Sequence, residues 1–134
     1  MAEPKTRPTN ASVDEFIESV DSPIRREDAK VIRSMFEEIT GEPAVMWGDA
    51  IIGFGVSEIP YADGSTKEWP RMAFSPRKAN TTIYFMEGFD SYQAQLATLG
   101  KQKSTHSCLY ITNLKNVDLD VLHEMFVASN ALYV

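Results

Sequence analysis

Ala50-Ile51-Ile52-Gly53-Phe54-Gly55-Val56 is the stretch that decides the fold. Ile52, Phe54 and Val56 recur every second residue, the period of a strand with one apolar face. Gly53 and Gly55 leave the other face bare, where another part of the chain packs closely or a ligand sits. Upstream of this stretch the apolar period is 3.6; between Glu42 and Thr82 it is two.

Downstream, residues 61–68 form a turn centred on Asp63-Gly64, leading to a second strand at Trp69–Ser75 whose Pro70 sets its start near a sheet edge. Thr81–Met86 is a third strand, with Ile83 and Phe85 facing one way and Thr82, Tyr84 and Met86 the other. Cys108–Thr112 is a fourth. Upstream, Val13–Val20 is a short helix presenting Val13, Phe16, Ile17 and Val20. Ser22-Pro23 caps and starts a second helix that runs to about Ile39, with its stripe at Ile32, Met35, Phe36 and Ile39 and a stop at Gly41. Asp90 or Ser91 caps a helix bearing Tyr92, Leu96 and Leu99, ended by Gly100. Asp118 caps the last helix, where Val117 staples against Leu122, and Leu119, Leu122 and Phe126 face the core. The expectation is an α+β fold: a mainly antiparallel sheet of four to five strands with helices packed on one face. Residues 1–12 read as a flexible N-terminal tail and 13–134 as one domain.

A chain of 134 residues with 43% hydrophobic content can build one core without a metal or a disulfide. Cys108 is the only cysteine, which excludes an intrachain disulfide and a multi-cysteine zinc site and suits a reducing compartment. No apolar run reaches the ~20 residues of a membrane span, so the cytoplasm is the expected address and a membrane is not an expected partner. The net charge is −6, unevenly placed. Residues 11–42 carry nine carboxylates against four cations, whereas 71–103 carry five cations against two carboxylates. An acidic total disfavours nucleic acid but leaves room for a small anion, or an acidic protein segment, at the basic middle.

The basic middle supplies the candidate ligand site: Ser75, Arg77 and Lys78, joined by Lys101, Lys103 and Tyr110 if the intervening helix folds back, with Trp47 as a wall. Arginine would serve as the bidentate partner of a carboxylate or phosphate, and the hydroxyls as further donors. Loop lysines also keep any fold soluble, and a tryptophan entering a sheet is more often core than pocket. Asp14, Glu15, Glu18 and Asp21 could hold a hard cation, but Arg25, Arg26, Lys30 and Arg33 interleave with the acids of the first two helices as ordinary surface pairs. His106 and His123 have no metal-ligand spacing, and Cys108 reads as a small strand residue. There is no phosphate-cradling glycine loop, paired-carboxylate signature or nucleophile relay, so nothing argues for an enzyme.

In order along the chain, Ser22-Pro23, Arg25-Arg26, Gly41-Glu42-Pro43, Met46-Trp47-Gly48, Ile51-Ile52-Gly53-Phe54-Gly55, Phe74-Ser75-Pro76-Arg77-Lys78, Thr82-Ile83-Tyr84, Leu99-Gly100-Lys101, Ser107-Cys108-Leu109-Tyr110-Ile111 and Val117-Asp118-Leu119 resemble the YdhG-like domains. The resemblance spans roughly residues 14–130 and lies in the ordered succession of motifs rather than in any one of them. It implies a small cytoplasmic bacterial α+β domain. Some relatives have been given a frataxin-like role in handling intracellular iron; that role would fall here on Asp14, Glu15, Glu18 and Asp21, with iron as the bound metal. The chain departs from the family pattern at Ser57-Glu58-Ile59-Pro60-Tyr61, where relatives carry an aromatic and basic stretch.

Overall fold

The computed structural model describes residues 8–60 and 63–133. In chain order the elements are α1 (Val13–Glu18), α2 (Pro23–Thr40), β1 (Ala44–Trp47), β2 (Ile51–Phe54), β3 (Ser57–Pro60), β4 (Thr66–Trp69), β5 (Met72–Pro76), β6 (Thr81–Tyr84), a 3-10 turn (Asp90–Tyr92), α3 (Gln93–Leu99), β7 (Lys103–Ser104), β8 (Cys108–Ile111), a second 3-10 turn (Leu114–Asn116) and α4 (Leu119–Tyr133). Six strands form one antiparallel sheet in the order β1-β2-β5-β6-β8-β7, and β3 and β4 form a separate two-stranded sheet. The fold is α+β with the helices on one face.

The helix-facing side of the sheet carries Met46, Ile52, Phe54, Phe74, Ile83, Leu109 and Ile111, all buried in one cluster with Ile17, Ile32, Phe36, Leu99, Leu122, Met125 and Phe126 from the helices. Phe36 is the hub. Its ring meets Phe54, Phe74 and Phe126 edge-on, with centroids 5.3, 5.7 and 4.5 Å away, the favoured geometry for aromatic quadrupoles. The α2 stripe is as expected, with Ile32 and Phe36 buried and Met35 and Ile39 packed against the cluster. Leu119 departs from its expected place: it is 41% exposed, and Met125 fills the core position one turn beyond Leu122.

The sheet has more strands than the four to five expected. β1 went unread because Val45, Met46 and Trp47 do not alternate in polarity. Both faces of β1 are covered, Met46 by the helices and Trp47 from the opposite side, so neither needs a polar residue. β7 is only two residues long and pairs Lys103 with Tyr110 and Ser104 with Leu109 at the sheet edge. At the other edge, Thr9 N–H donates to the Met46 carbonyl at 2.8 Å and Pro8 bridges Trp47, so residues 8 and 9 of the expected tail pair with the sheet. Residues 1–7 of that tail lie outside the described residues.

Trp69–Ser75 is two strands rather than one. Gly55, with φ +70°, turns the chain off the sheet after Phe54, and residues 57–69 make a hairpin of their own. Pro70, which lacks an N–H, and Arg71 separate β4 from β5. β2 and β5 then pair directly, Ile52 with Phe74 and Phe54 with Met72. The hairpin turn keeps Asp63 accepting from Ser65 N–H at 2.9 Å; Tyr61 and Ala62 lie outside the described residues, so the last residue of the departing 57–61 segment does too.

Candidate functional site

Side chains on the sheet face away from the helices fall into two cross-strand rows. One row runs Val45, Gly53, Ala73, Tyr84, Cys108; the other runs Trp47, Ile51, Thr82, Tyr110, Lys103, with Ser75 opposite Thr82. Bare Gly53 admits a close approach, but by the chain itself: a Cβ there would sit 2.5 Å from Trp47 Cδ1 and 2.7 Å from Pro70 Cβ. Trp69 of the hairpin bridges the rows, its ring 6.4 Å from Trp47 and 5.8 Å from Tyr84, the latter edge-on. Lys67 caps Trp69 with its ammonium 5.7 Å from the ring centroid. Trp47 is therefore a buried wall, and Ser75, fully buried, donates its hydroxyl to the Ala50 carbonyl at 2.5 Å.

Arg77 is exposed and reaches back over this face, where Nη2 donates to the Tyr84 phenol oxygen at 3.0 Å. Burial raises the Tyr84 pKa, and Arg77 works against the rise. Among the described residues no acceptor takes the Tyr84 O–H, and no carboxylate pairs with Arg77, Lys78, Lys101 or Lys103. Tyr110 lies in the neighbouring row, its phenol 3.4 Å from the Thr105 hydroxyl, with exposed Lys103 opposite it.

Topology brings the four cations to one end of the sheet. The β5–β6 turn, closed by Arg77 N–H on the Asn80 carbonyl at 2.8 Å, adjoins the Thr81–Ile111 pair. β7 starts at this same end because it runs antiparallel to β8. Lys101 is held there by its N–H on the Asn116 carbonyl at 3.0 Å. A cleft of about 340 Å³ between the α1–α2 connection and the β5–β6 turn takes Arg77 and Lys78 together with Phe16, Ser19, Asp21 and Ser22. Lys101 and Lys103 lie outside that cleft.

The proposed cation ligands separate. Asp14 pairs with Arg33, and Glu18 with Lys30 at 3.2 Å. Asp21 lines the basic cleft, and Glu15, exposed, sits in the first turn of α1. Among the described residues no three His, Cys, Asp or Glu side chains gather as a metal site. Lys30 and Arg33 do make the surface pairs expected of them, including Lys30–Glu27 at 3.1 Å.

Sequence reasoning missed Arg25 and Asp28, both buried. Arg25 donates from Nε to the Arg77 carbonyl at 2.8 Å, from Nη1 to the Thr112 carbonyl at 2.6 Å and, more weakly, from Nη2 to the Lys78 carbonyl at 3.5 Å. Asp28 accepts the Leu114 N–H at 3.0 Å. The signal was present: residues 25, 28 and 29 extend the Ile32–Phe36 stripe at helical spacing, so they face inward despite their charge.

Among the described residues no helix is long and apolar enough to cross a membrane. Compared with protein-family models, with curated proteins and with solved structures, the chain matches none.

Proposed function

We propose that the chain is a YdhG-like, non-enzymatic binding domain that takes a small carboxylate or phosphate, or an acidic segment of a partner protein, at the basic end of its sheet. The observation that carries this reading is the Arg77–Tyr84 pair. The phenol accepts from the guanidinium and so holds it in place. That leaves the phenol proton and the remaining guanidinium N–H groups to converge on an oxyanion. Lys78 adds charge from the same β5–β6 turn, and Lys101 and Lys103 extend the field along the sheet end. Trp47 and Ser75 serve as scaffold: the first packs against Trp69 and the second fastens β5 to the chain entering β2.

Thermal-shift titration with inorganic phosphate, citrate, mononucleotides and a poly-glutamate peptide tests the reading. At least one should raise the melting temperature saturably at constant ionic strength, and Arg77→Ala and Tyr84→Phe should each weaken that response. A response to bulk salt alone, or one that survives both substitutions, removes the site.

A further inference from the structure

A second cleft, of about 440 Å³, runs between the first turns of α2 and the connection from β8 to α4. Its apolar wall is Ile24, Val31, Leu114 and Leu119. Ile24, Val31 and Leu119 are 51%, 41% and 41% exposed, so three of the seven large hydrophobic side chains left exposed among the described residues meet at one hollow. Single exposed apolar residues need no explanation, whereas a contiguous lining at ligand-sized volume does.

The polar floor is Asp28, only 8% exposed. Its single hydrogen bond among the described residues is from Leu114 N–H to Oδ2; Oδ1 takes none from the protein and is not among the buried unpartnered polar atoms, so it stays open to solvent at the cleft. Arg25 does not supply one, because its guanidinium hydrogen bonds go to the carbonyls of residues 77, 78 and 112. A carboxylate has about four acceptor sites, so Oδ1 has room for a donor placed in the cleft. Desolvation raises the Asp28 pKa against the opposing pull of the Leu114 N–H, Arg25 and Lys115.

An occupant that suits this lining carries a donor, best a cation, on a hydrocarbon body. Glu27 on the same lining repels an anion, and Lys115 disfavours a second positive charge. We propose that this cleft binds a small hydrophobic primary monoamine, its ammonium donating to Asp28 Oδ1 and its hydrocarbon part lying against Ile24, Val31, Leu114 and Leu119. The site is independent of the basic sheet end and stands or falls separately from it.

Amide chemical-shift titration with hexylammonium, against 1-hexanol and hexanoate as probes of equal length, tests the assignment. Hexylammonium should shift residues 23–31 and 113–119 saturably and bind at least about tenfold tighter than hexanol, the scale of one charge-assisted hydrogen bond. Hexanoate should shift neither segment. Asp28→Asn should bring hexylammonium down to the affinity of hexanol. Leu119→Ala, at an exposed position, should weaken both probes several-fold while keeping their ratio. Equal affinity for ammonium and alcohol, a preference that persists in Asp28→Asn, or shifts scattered elsewhere on the surface would overturn the proposal. Should Asp28→Asn fail to fold, the ammonium-to-alcohol ratio in the wild type and in Leu119→Ala decides alone.

Discussion

The guanidinium of Arg25 is fastened to the backbone of the turn that carries Arg77, its Nε–H donating to the Arg77 carbonyl at 2.8 Å. Two like charges adjoin because they do different work. Arg25 is buried and fixes the loop; Arg77 is exposed and reaches Tyr84. The same guanidinium also holds the Thr112 carbonyl, so one side chain of α2 ties together the two loops of the basic sheet end.

Arg25→Ala should therefore destabilise the fold by about 3 kcal/mol, since it strips the charge-assisted hydrogen bonds that a buried guanidinium donates to both loops. Arg25→Lys should recover less than half of that, because an ammonium cannot span carbonyls arranged around a planar fork. Arg26→Ala, which loses one bond to the Val20 carbonyl at the surface side of α2, should cost under about 1 kcal/mol. Urea denaturation of the three variants checks the order. An Arg25→Ala midpoint indistinguishable from that of Arg26→Ala would refute the tie.

Gly53 and Gly100 should resist substitution for different reasons. At Gly53 the backbone is ordinary but a Cβ would collide with the Trp47 indole and the Pro70 ring. Gly53→Ala is expected to cost about 2–3 kcal/mol through overpacking and to loosen the Trp47–Trp69 contact, read as a shift in tryptophan fluorescence. At Gly100 both terms apply: φ is +117°, and a Cβ would strike the Asn116 carbonyl, so Gly100→Ala should cost more than Gly53→Ala. Tolerance of alanine at either position in a thermal melt would contradict the packing.

How much of this was legible depends on what each residue has to report. Helix α2 announces itself because one stripe is apolar and the rest polar, whereas α4 is apolar beyond its buried face, with Leu119, Val127 and Leu132 exposed. β2 is legible because Ile52 and Phe54 alternate with glycine, and β6 because Ile83, with Phe85 just past its end, alternates with Thr82 and Tyr84. β1 stays silent in sequence because Trp47 is sheltered by Trp69, a residue 22 positions away that no local pattern can supply. Residues 61–68 read as a turn because the hairpin strands there are only four residues long and mostly polar. The basic residues were visible as a composition. What could not be read was that Arg77 leans on Tyr84 while Lys101 is anchored beside Asn116, since both depend on strand order across the sheet.

Alkaline pH should weaken the fold through Glu87. Its carboxylate accepts the Tyr92 hydroxyl at 2.6 Å and the Tyr133 hydroxyl at 2.9 Å, joining the β6–α3 connection to the end of α4. Burial, reinforced by Glu87, raises both phenols well above the usual tyrosine range. A raised folded pKa gives stability that is full below the unfolded value, near pH 10, and is lost as pH climbs toward the folded one. The denaturant midpoint should therefore decline above about pH 10. Tyr133→Phe should cost about 1 kcal/mol at neutral pH and flatten the decline. A midpoint level between pH 8 and 11 would exclude the clasp.

Asp28 should show the opposite preference to a surface carboxylate. Burial, the largest influence on it, raises its pKa in spite of the Leu114 N–H, Arg25 and Lys115. Its stabilising contribution is then full below the unfolded pKa of about 4 and lost as pH rises through the folded value. Asp28→Asn removes that loss while keeping an oxygen for Leu114 N–H, so it should fall within about 1 kcal/mol of the wild type at neutral pH. Its relative stability should improve as pH climbs from about 3.5 to 7. Asp28→Ala leaves the Leu114 N–H without an acceptor and should cost about 2 kcal/mol throughout. Urea curves at three pH values separate the cases. If Asp28→Asn instead loses ground as pH rises, the ionised carboxylate is already satisfied within the fold, and the apolar cleft above it has no unmet anion to offer an amine.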